Sequence, residues 1–436
     1  MPQRCVVVLP STGEFDSRTY RIARTLHQRG HEVTVIARRQ GDLPHREIHE
    51  VGYPILRVDA DAIDGVPLAR LILPVLRSVR LVPRARTPSP ASSPTRDPDL
   101  GSDGAAPRGL RDYLRRARVF FLIRSYRRRA GEVAPAANMY HGMAYLGVSV
   151  ALSLGKRHRA RVVYDSRDIY MIAANLARLR GPIKAALVRL ERGWARAADR
   201  VITVNRPYAD ELAERFDVPT PIIVMNCSYR YTPPPVRPRQ FHERLGLQPD
   251  TRVVLYQGGF MHGRGVEQLI AAIQLVPNAV LVLMGYGSRE AEFTATAARP
   301  EHEGRMFVLP AVPPTELLDW VASADVVGVL FQDDTLNHYL STPNKFLEAM
   351  AAGVPVVCSD HPGMGPIANA TGCGIAVPPD DVDAIAGALR TIVGAPDAER
   401  EAMRARALEA AHGIYNWESQ VQALLEEYSR LTGRPW

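Results

Sequence analysis

The chain alternates short apolar runs with segments of helical period, and it does so in two blocks. That pattern restricts it to layered α/β folds built on mainly parallel sheets. Residues 5–9 read as a central strand, because a strand covered on both faces is apolar throughout. A loop follows at 10–16. Residues 18–29 then carry Ile22, Ala23 and Leu26 at helical spacing, Gly30 stops that helix, and 32–37 forms the next strand. Further strands are expected at 139–140, 161–165, 200–204 and 222–225. The second block gives strands at 252–257, 280–284, 307–309, 325–330 and 354–358, with a helix at 265–276. Prolines 233, 234, 235 and 238 stiffen the stretch between the blocks into a linker. The expected division is a domain over 1–227, a second over 228–415 and a tail over 416–436.

Composition narrows the class. With 436 residues, 46% hydrophobic and 23% charged, there is ample material for two globular cores. The net charge of +8 favours polyanionic partners. Only Lys156, Lys184 and Lys345 are lysines among the 54 basic residues, a skew that a GC-rich genome also produces, so charge alone decides little. Cys5, Cys227, Cys358 and Cys373 form no CxxC pair and no zinc-ligand spacing, and read as buried thiols of a reducing compartment. The N-terminus enters a strand without a leader pattern, and no uncharged apolar run is long enough to span a bilayer, so a cytoplasmic location is expected.

Two segments stand apart. Residues 83–109 are rich in Pro, Ser, Arg and Asp, and are expected to be a disordered insertion. Residues 110–129 set Phe120, Phe121, Leu122 and Ile123 among eight arginines from Arg111 to Arg129. Such a basic amphipathic helix suits an anionic membrane surface; the alternative is a helix packed on the core with a solvated arginine face.

The segment Ser341-Thr342-Pro343-Asn344-Lys345-Phe346-Leu347-Glu348-Ala349-Met350-Ala351-Ala352-Gly353 carries the chemistry. Thr342 reads as an N-cap, Pro343 as the first helical residue and Gly353 as the stop. A helix start is an anion site, since its first N–H groups lack partners and the dipole is positive there. Lys345 in the first turn is unfavourable for the helix alone, and a bound diphosphate reverses that conflict. The bland alternative is a lysine reaching solvent. Glu348, three residues on, lies on nearly the same face and can accept from a cis-diol or pair with Lys345. A second stretch, Gln257-Gly258-Gly259-Phe260-Met261-His262-Gly263-Arg264-Gly265, follows a strand and opens a helix, and Arg264 can grip phosphate bidentately. Gly285-Tyr286-Gly287 imitates a dinucleotide fingerprint but lacks its third glycine.

These segments resemble glycosyltransferase family 4, retaining enzymes of the GT-B fold that use nucleotide sugars, in a variant with a Pro-Asn-Lys motif. The resemblance extends through Asp16-Ser17-Arg18, Tyr140-His141-Gly142, Ser166-Arg167-Asp168 and Tyr415-Asn416-Trp417, and covers nearly the whole chain outside 83–109. It implies an α/β fold of two Rossmann-like domains facing each other across a cleft, with the 416–436 helix returning to the first domain. It assigns donor binding to Gly13, Gly259, Arg264, Asn344, Lys345 and Glu348, with Glu348 on the ribose. Catalytic contributions fall to Lys345, Arg264 and His141, the histidine lying beside the donor sugar unless it is structural. Arg167 and Asp168 become acceptor-side candidates, unless they merely pair with each other.

This sequence departs from the family at two points. Leu340 stands where most members carry a glutamate on the donor sugar, and Gly259 replaces the first of two diphosphate-binding cations, a charge that Lys345 is expected to supply. The expected activity is hexosyl transfer from a nucleotide sugar to a lipid-linked or small-molecule acceptor, in cell-envelope, polysaccharide or glycolipid assembly. No metal, no further cofactor and no nucleic-acid partner are expected. The alternatives are glycosylation of a soluble natural product, a sugar-nucleotide epimerase of the same fold, and a catalytically silent relative.

Overall fold

In a computed structural model of the chain, residues 2–14, 16–62, 110–172, 176, 179 and 181–436 are described. The expected insertion at 83–109 lies outside the described residues. The chain divides into two compact units. The first comprises residues 1–204, 208–224 and 423–436, and the second 205–207 and 225–422.

The first unit is built on β1 (Arg4–Val8), β2 (Glu32–Arg38), β3 (Arg46–Ile48), β4 (Pro54–Val58), β5 (Met139–Met143), β6 (Arg161–Asp165), β7 (Arg200–Thr203) and β8 (Ile222–Ile223). Their order across the sheet is β3-β4-β2-β1-β5-β6-β7-β8. All neighbours are parallel except the short β3, which runs antiparallel to β4. The order reverses direction between β1 and β5. Helix Ser17–Gln28 follows β1. Asp16 caps it by accepting from the Thr19 N–H at 3.0 Å, and Ile22, Ala23 and Leu26 face inward.

Helix Leu110–Val133 is a core element of this unit. Val119, Leu122, Ile123, Tyr126 and Ala130 are buried together with Val6, Val8, Ile36, Tyr140 and Val150. Arg124, Arg127 and Arg128 point to solvent. The apolar stripe is therefore packed on the core of the unit and an arginine face is left exposed, the second of the two placements expected for this helix. Burial against protein wins because it satisfies the same apolar residues permanently, at roughly 1.5–3 kcal/mol for each large side chain. Among the described residues, no helix is long and apolar enough to cross a membrane.

The second unit carries β9 (Arg252–Gly259), β10 (Ala279–Tyr286), β11 (Met306–Pro310), β12 (Val326–Val329), β13 (Val356–Ser359) and β14 (Gly374–Val377), in the order β11-β10-β9-β12-β13-β14. Every pairing is parallel. Its core joins Val254, Leu281, Leu283, Val326 and Val357 of the sheet to Leu269, Ile273, Ile385, Leu389 and Ile392 of flanking helices. The strand order reverses between β9 and β12. In open parallel sheets, ligands bind beyond the carboxyl ends of the strands at such a reversal. All four cysteines are buried, and none forms a disulfide.

Candidate active site

The carboxyl end of β9 lies at that reversal, and the glycine-rich loop leaves from it. Gly258 has φ +113° and Gly265 has φ +72°, conformations that other residues rarely adopt. A Cβ on Gly265 would lie 2.0 Å from the Leu330 carbonyl oxygen, so only glycine lets the loop press against the end of β12. The Gln332 N–H donates to the Gly263 carbonyl at 3.0 Å and fixes the loop on that side. Arg264, held between two left-handed glycines, lays its guanidinium across the Phe331 ring, 4.2 Å from the centroid.

Helix Asn344–Ala351 brings the second cation to the same place. Lys345 is buried, with Nζ 3.6 Å from the centroid of the Tyr256 ring on β9 and 5.6 Å from that of Phe331. Gly258 leaves the space in which a Cβ would stand 3.7 Å from this ammonium. The Nζ atom has no hydrogen-bond partner. Burial pushes the Lys345 pKa well below the usual lysine range, the Arg264 charge pushes the same way, and Glu348 opposes them. Two cations thus share one aromatic floor, with one of them desolvated. Cation–π attraction of ~2 kcal/mol helps hold such a group, but an anion is what would satisfy it fully.

Glu348 is placed one helical turn from Lys345. Its Oε2 accepts from Gln257 Nε2 at 2.9 Å, a contact that orients the carboxylate. Asn344 is exposed at the helix start, where its Oδ1 accepts from Asn226 Nδ2 at 3.1 Å. Gly259 ends β9 with an ordinary φ, and a Cβ there would meet only Met261 Cε, at 3.4 Å.

The helix start differs by one residue from expectation. Pro343, not Thr342, is the N-cap, and no side chain caps the helix. Thr342 Oγ1 instead donates to the Gly363 carbonyl at 2.6 Å and accepts from Asn205 Nδ2 at 3.0 Å. A hydroxyl can serve a cap or a neighbouring turn, and here the turn wins. Leu340 acts through its backbone, its carbonyl accepting from Asn205 Nδ2 at 2.7 Å.

The remaining expected residues lie in the first unit. Gly13 sits in the loop after β1 with φ +87°. Arg167 pairs bidentately with Asp16, at 2.8 and 2.9 Å. Asp168 is partly buried, and its carbonyl accepts from Ser166 Oγ at 3.1 Å.

His141 takes the structural place that was the alternative to a donor-side one. It lies inside β5, fully buried, with both ring nitrogens engaged: Nδ1 with Tyr428 Oη at 2.5 Å and Nε2 with Asp165 Oδ2 at 3.1 Å. Arg18 Nε binds the same carboxylate oxygen at 2.6 Å, and Arg18 Nη1 donates to the Val224 carbonyl at 2.6 Å. In this geometry both ring nitrogens of His141 serve as struts of the fold, the structural alternative named for it. Sequence reasoning missed its partners Arg18, Asp165 and Tyr428, and also missed Tyr256 and Phe331. The one available signal was an Arg18 predicted on a helix whose sheet-facing side is otherwise apolar.

The two sheets with these strand orders define the GT-B class. Sucrose-phosphate synthase of Thermosynechococcus elongatus superposes with a TM-score of 0.71 at 17% identity, over 99% of each chain. HepE of Anabaena, solved in complex with UDP, gives 0.65 at 15% identity, over 98% of this chain and 100% of that one. At such identities the likeness concerns the fold alone. A family model described as a glycosyl transferase 4-like domain matches residues 15–227, and one described as glycosyl transferases group 1 matches 239–410. Between them they span most of the chain, which belongs to the family 4-like glycosyltransferases. The D-inositol 3-phosphate glycosyltransferase of Xylanimonas cellulosilytica is 27% identical over 254 residues, 55% of this chain. The matched stretch spans 58% of that relative's length.

Proposed function

We propose that the chain transfers a sugar, with retention at the anomeric carbon, from a nucleotide-sugar donor bound by the second unit to an acceptor bound by the first. The observation that supports this reading is the buried, unbonded Lys345 Nζ beside the Arg264 guanidinium at the carboxyl end of β9. A departing nucleoside diphosphate gains negative charge in the transition state. An arginine fork and a desolvated ammonium stabilise that charge more strongly in a dry site than in water. Glu348 accepts from the ribose diol, its carboxylate held ready by Gln257. Because the two cations do the neutralising, activity needs no metal. Arg167 and Asp168 are the proposed acceptor-side residues. The acceptor belongs to cell-envelope, polysaccharide or glycolipid assembly, reached from the cytoplasmic membrane face through the exposed Arg124, Arg127 and Arg128.

HepE was solved with UDP, which makes uracil the first base to test. UDP-, GDP- and dTDP-sugars are incubated with the protein in EDTA, and nucleotide release is followed without acceptor. Slow release of nucleoside diphosphate from one donor, reduced roughly 10²–10³-fold in Lys345→Ala, is the expected result. No release from any donor, or release that requires magnesium, contradicts the proposal.

A further inference from the structure

At the opposite end of the same sheet, the second unit contains a cavity of about 270 Å³ that the donor site does not use. It opens where β9 begins, at Arg252, and where Asp325 and Pro355 lead into β12 and β13. Arg237 contributes from the segment before β9, and Arg400 and Arg404 contribute from helix Asp397–Gly413. Four guanidinium groups therefore line one small space.

The carboxylates around them do not balance that charge inside the cavity. Asp325 is the one buried acid of the lining, 2% exposed, and its Oδ1 already receives Arg237 at 2.9 Å and Arg252 at 3.6 Å. Its Oδ2 accepts from the Val253 N–H at 2.8 Å. Glu401 is 78% exposed and stands 3.9 Å from Arg404. Asp397 is 92% exposed and engages Arg400, which also donates to the Ala395 carbonyl. Charges so exposed are largely cancelled by water.

Arg404 is left in the poorest position. Its side chain is 12% exposed, and its Nη1 is buried with no hydrogen-bond partner. Burial lowers its pKa to about 10, and the nearby Arg237 charge adds to the effect. A guanidinium keeps its proton even so, and an anion in the cavity would supply the partner that its buried Nη1 lacks.

The geometry points to a second anion site, taking a small phosphate-bearing metabolite that bridges Arg404, Arg252 and Arg237. The planar fork of arginine matches phosphate oxygens bidentately. A volume of about 270 Å³ holds a phosphate with several waters, or a phosphorylated monosaccharide, given roughly 30 Å³ for each water. Helix Asp397–Gly413 carries Leu408 against Gly353, directly after the helix that bears Lys345 and Glu348. An anion here consequently acts on the far end of the element that also forms the donor pocket.

The test is calorimetric titration of inorganic phosphate, and separately of a hexose phosphate, at constant ionic strength. Wild type, Arg404→Gln, Arg252→Gln and Lys345→Met are compared, with melting curves to confirm folding. The expected result is saturable binding that Lys345→Met retains and that each arginine variant weakens about 10–100-fold, the scale of a lost hydrogen bond to a charged group. A hexose phosphate that binds more tightly than phosphate identifies a sugar phosphate as the ligand; equal or weaker binding assigns the site to phosphate itself. If Arg404→Gln does not fold, the more exposed Arg252→Gln carries the same expectation. No saturable binding, or binding abolished by Lys345→Met and kept by the arginine variants, overturns the inference.

Discussion

Lys345 occupies a position that a lysine tolerates only at a cost: buried, over Tyr256, close to a like charge and without a hydrogen-bond partner. Burial disfavours its charged form in the free protein, and a diphosphate favours it. Between the depressed free value and the restored bound value, donor binding must therefore take up a proton, and affinity must fall as pH rises through that window. Calorimetry of nucleoside diphosphate binding in buffers of different ionisation enthalpy measures the uptake; about one proton in wild type and none in Lys345→Met is expected. Asp165 gives a prediction of the opposite kind. Burial raises its pKa, but Arg18 and His141 outweigh that and hold it at about 2. Its folded value lies below its unfolded one, so its stabilisation is complete above about pH 4 and lost as pH falls toward 2. Acid unfolding of wild type should show a loss of roughly 2 kcal/mol in this range that Asp165→Asn lacks. Lys345 was legible in sequence because a proline, a helix start and a cation coincide there. For His141 the sequence left two readings open, because a histidine in a strand looks the same whether it faces a ligand or is bound on both sides by Asp165 and Tyr428.

The loop after β9 and the helix after Pro343 are the two elements that make the pocket, and backbone shape matters as much as side chains. Gly265→Ala places a methyl group 2.0 Å from the Leu330 carbonyl oxygen at φ +72°. The expected cost is roughly 1–2 kcal/mol from the left-handed conformation alone, with the loop pushed off β12 in addition. Nucleoside diphosphate affinity should fall at least about tenfold in a protein that still folds; wild-type affinity would show that the loop position is unimportant. The strongly apolar strands were readable directly, β6 to the residue. The strands that sequence reasoning missed were β3, β4 and β14. β3 is a polar edge, β4 opens on a proline, and β14 is four residues beginning with glycine, so none carries a long apolar run. Helix Leu110–Val133 was found with two partners left open, membrane or core, because an apolar stripe does not state what covers it.

At the scale of the molecule, the resemblance of separated segments to one family anticipated the fold that the sheet orders and family matches show. What it could not supply was the aromatic floor of the pocket, since Tyr256 and Phe331 are 75 residues apart and meet only through adjacent strands. The proposed membrane contact, with the apolar stripe buried, is electrostatic. Sedimentation with anionic vesicles should therefore decline steeply between low and physiological salt, at about 1 kcal/mol for each basic residue engaged, and be lost when Arg124, Arg127 and Arg128 are changed together to Gln. Salt-insensitive binding would mean another surface is used.

The central claim is that Arg264 and Lys345 grip a diphosphate, and equilibrium binding of UDP, GDP and dTDP to wild type and Lys345→Ala tests it most directly. The account predicts saturable binding of at least one nucleotide to wild type and an affinity about 10–100-fold weaker in the variant. A folded Lys345→Ala that binds the same nucleotide as tightly as wild type would contradict it.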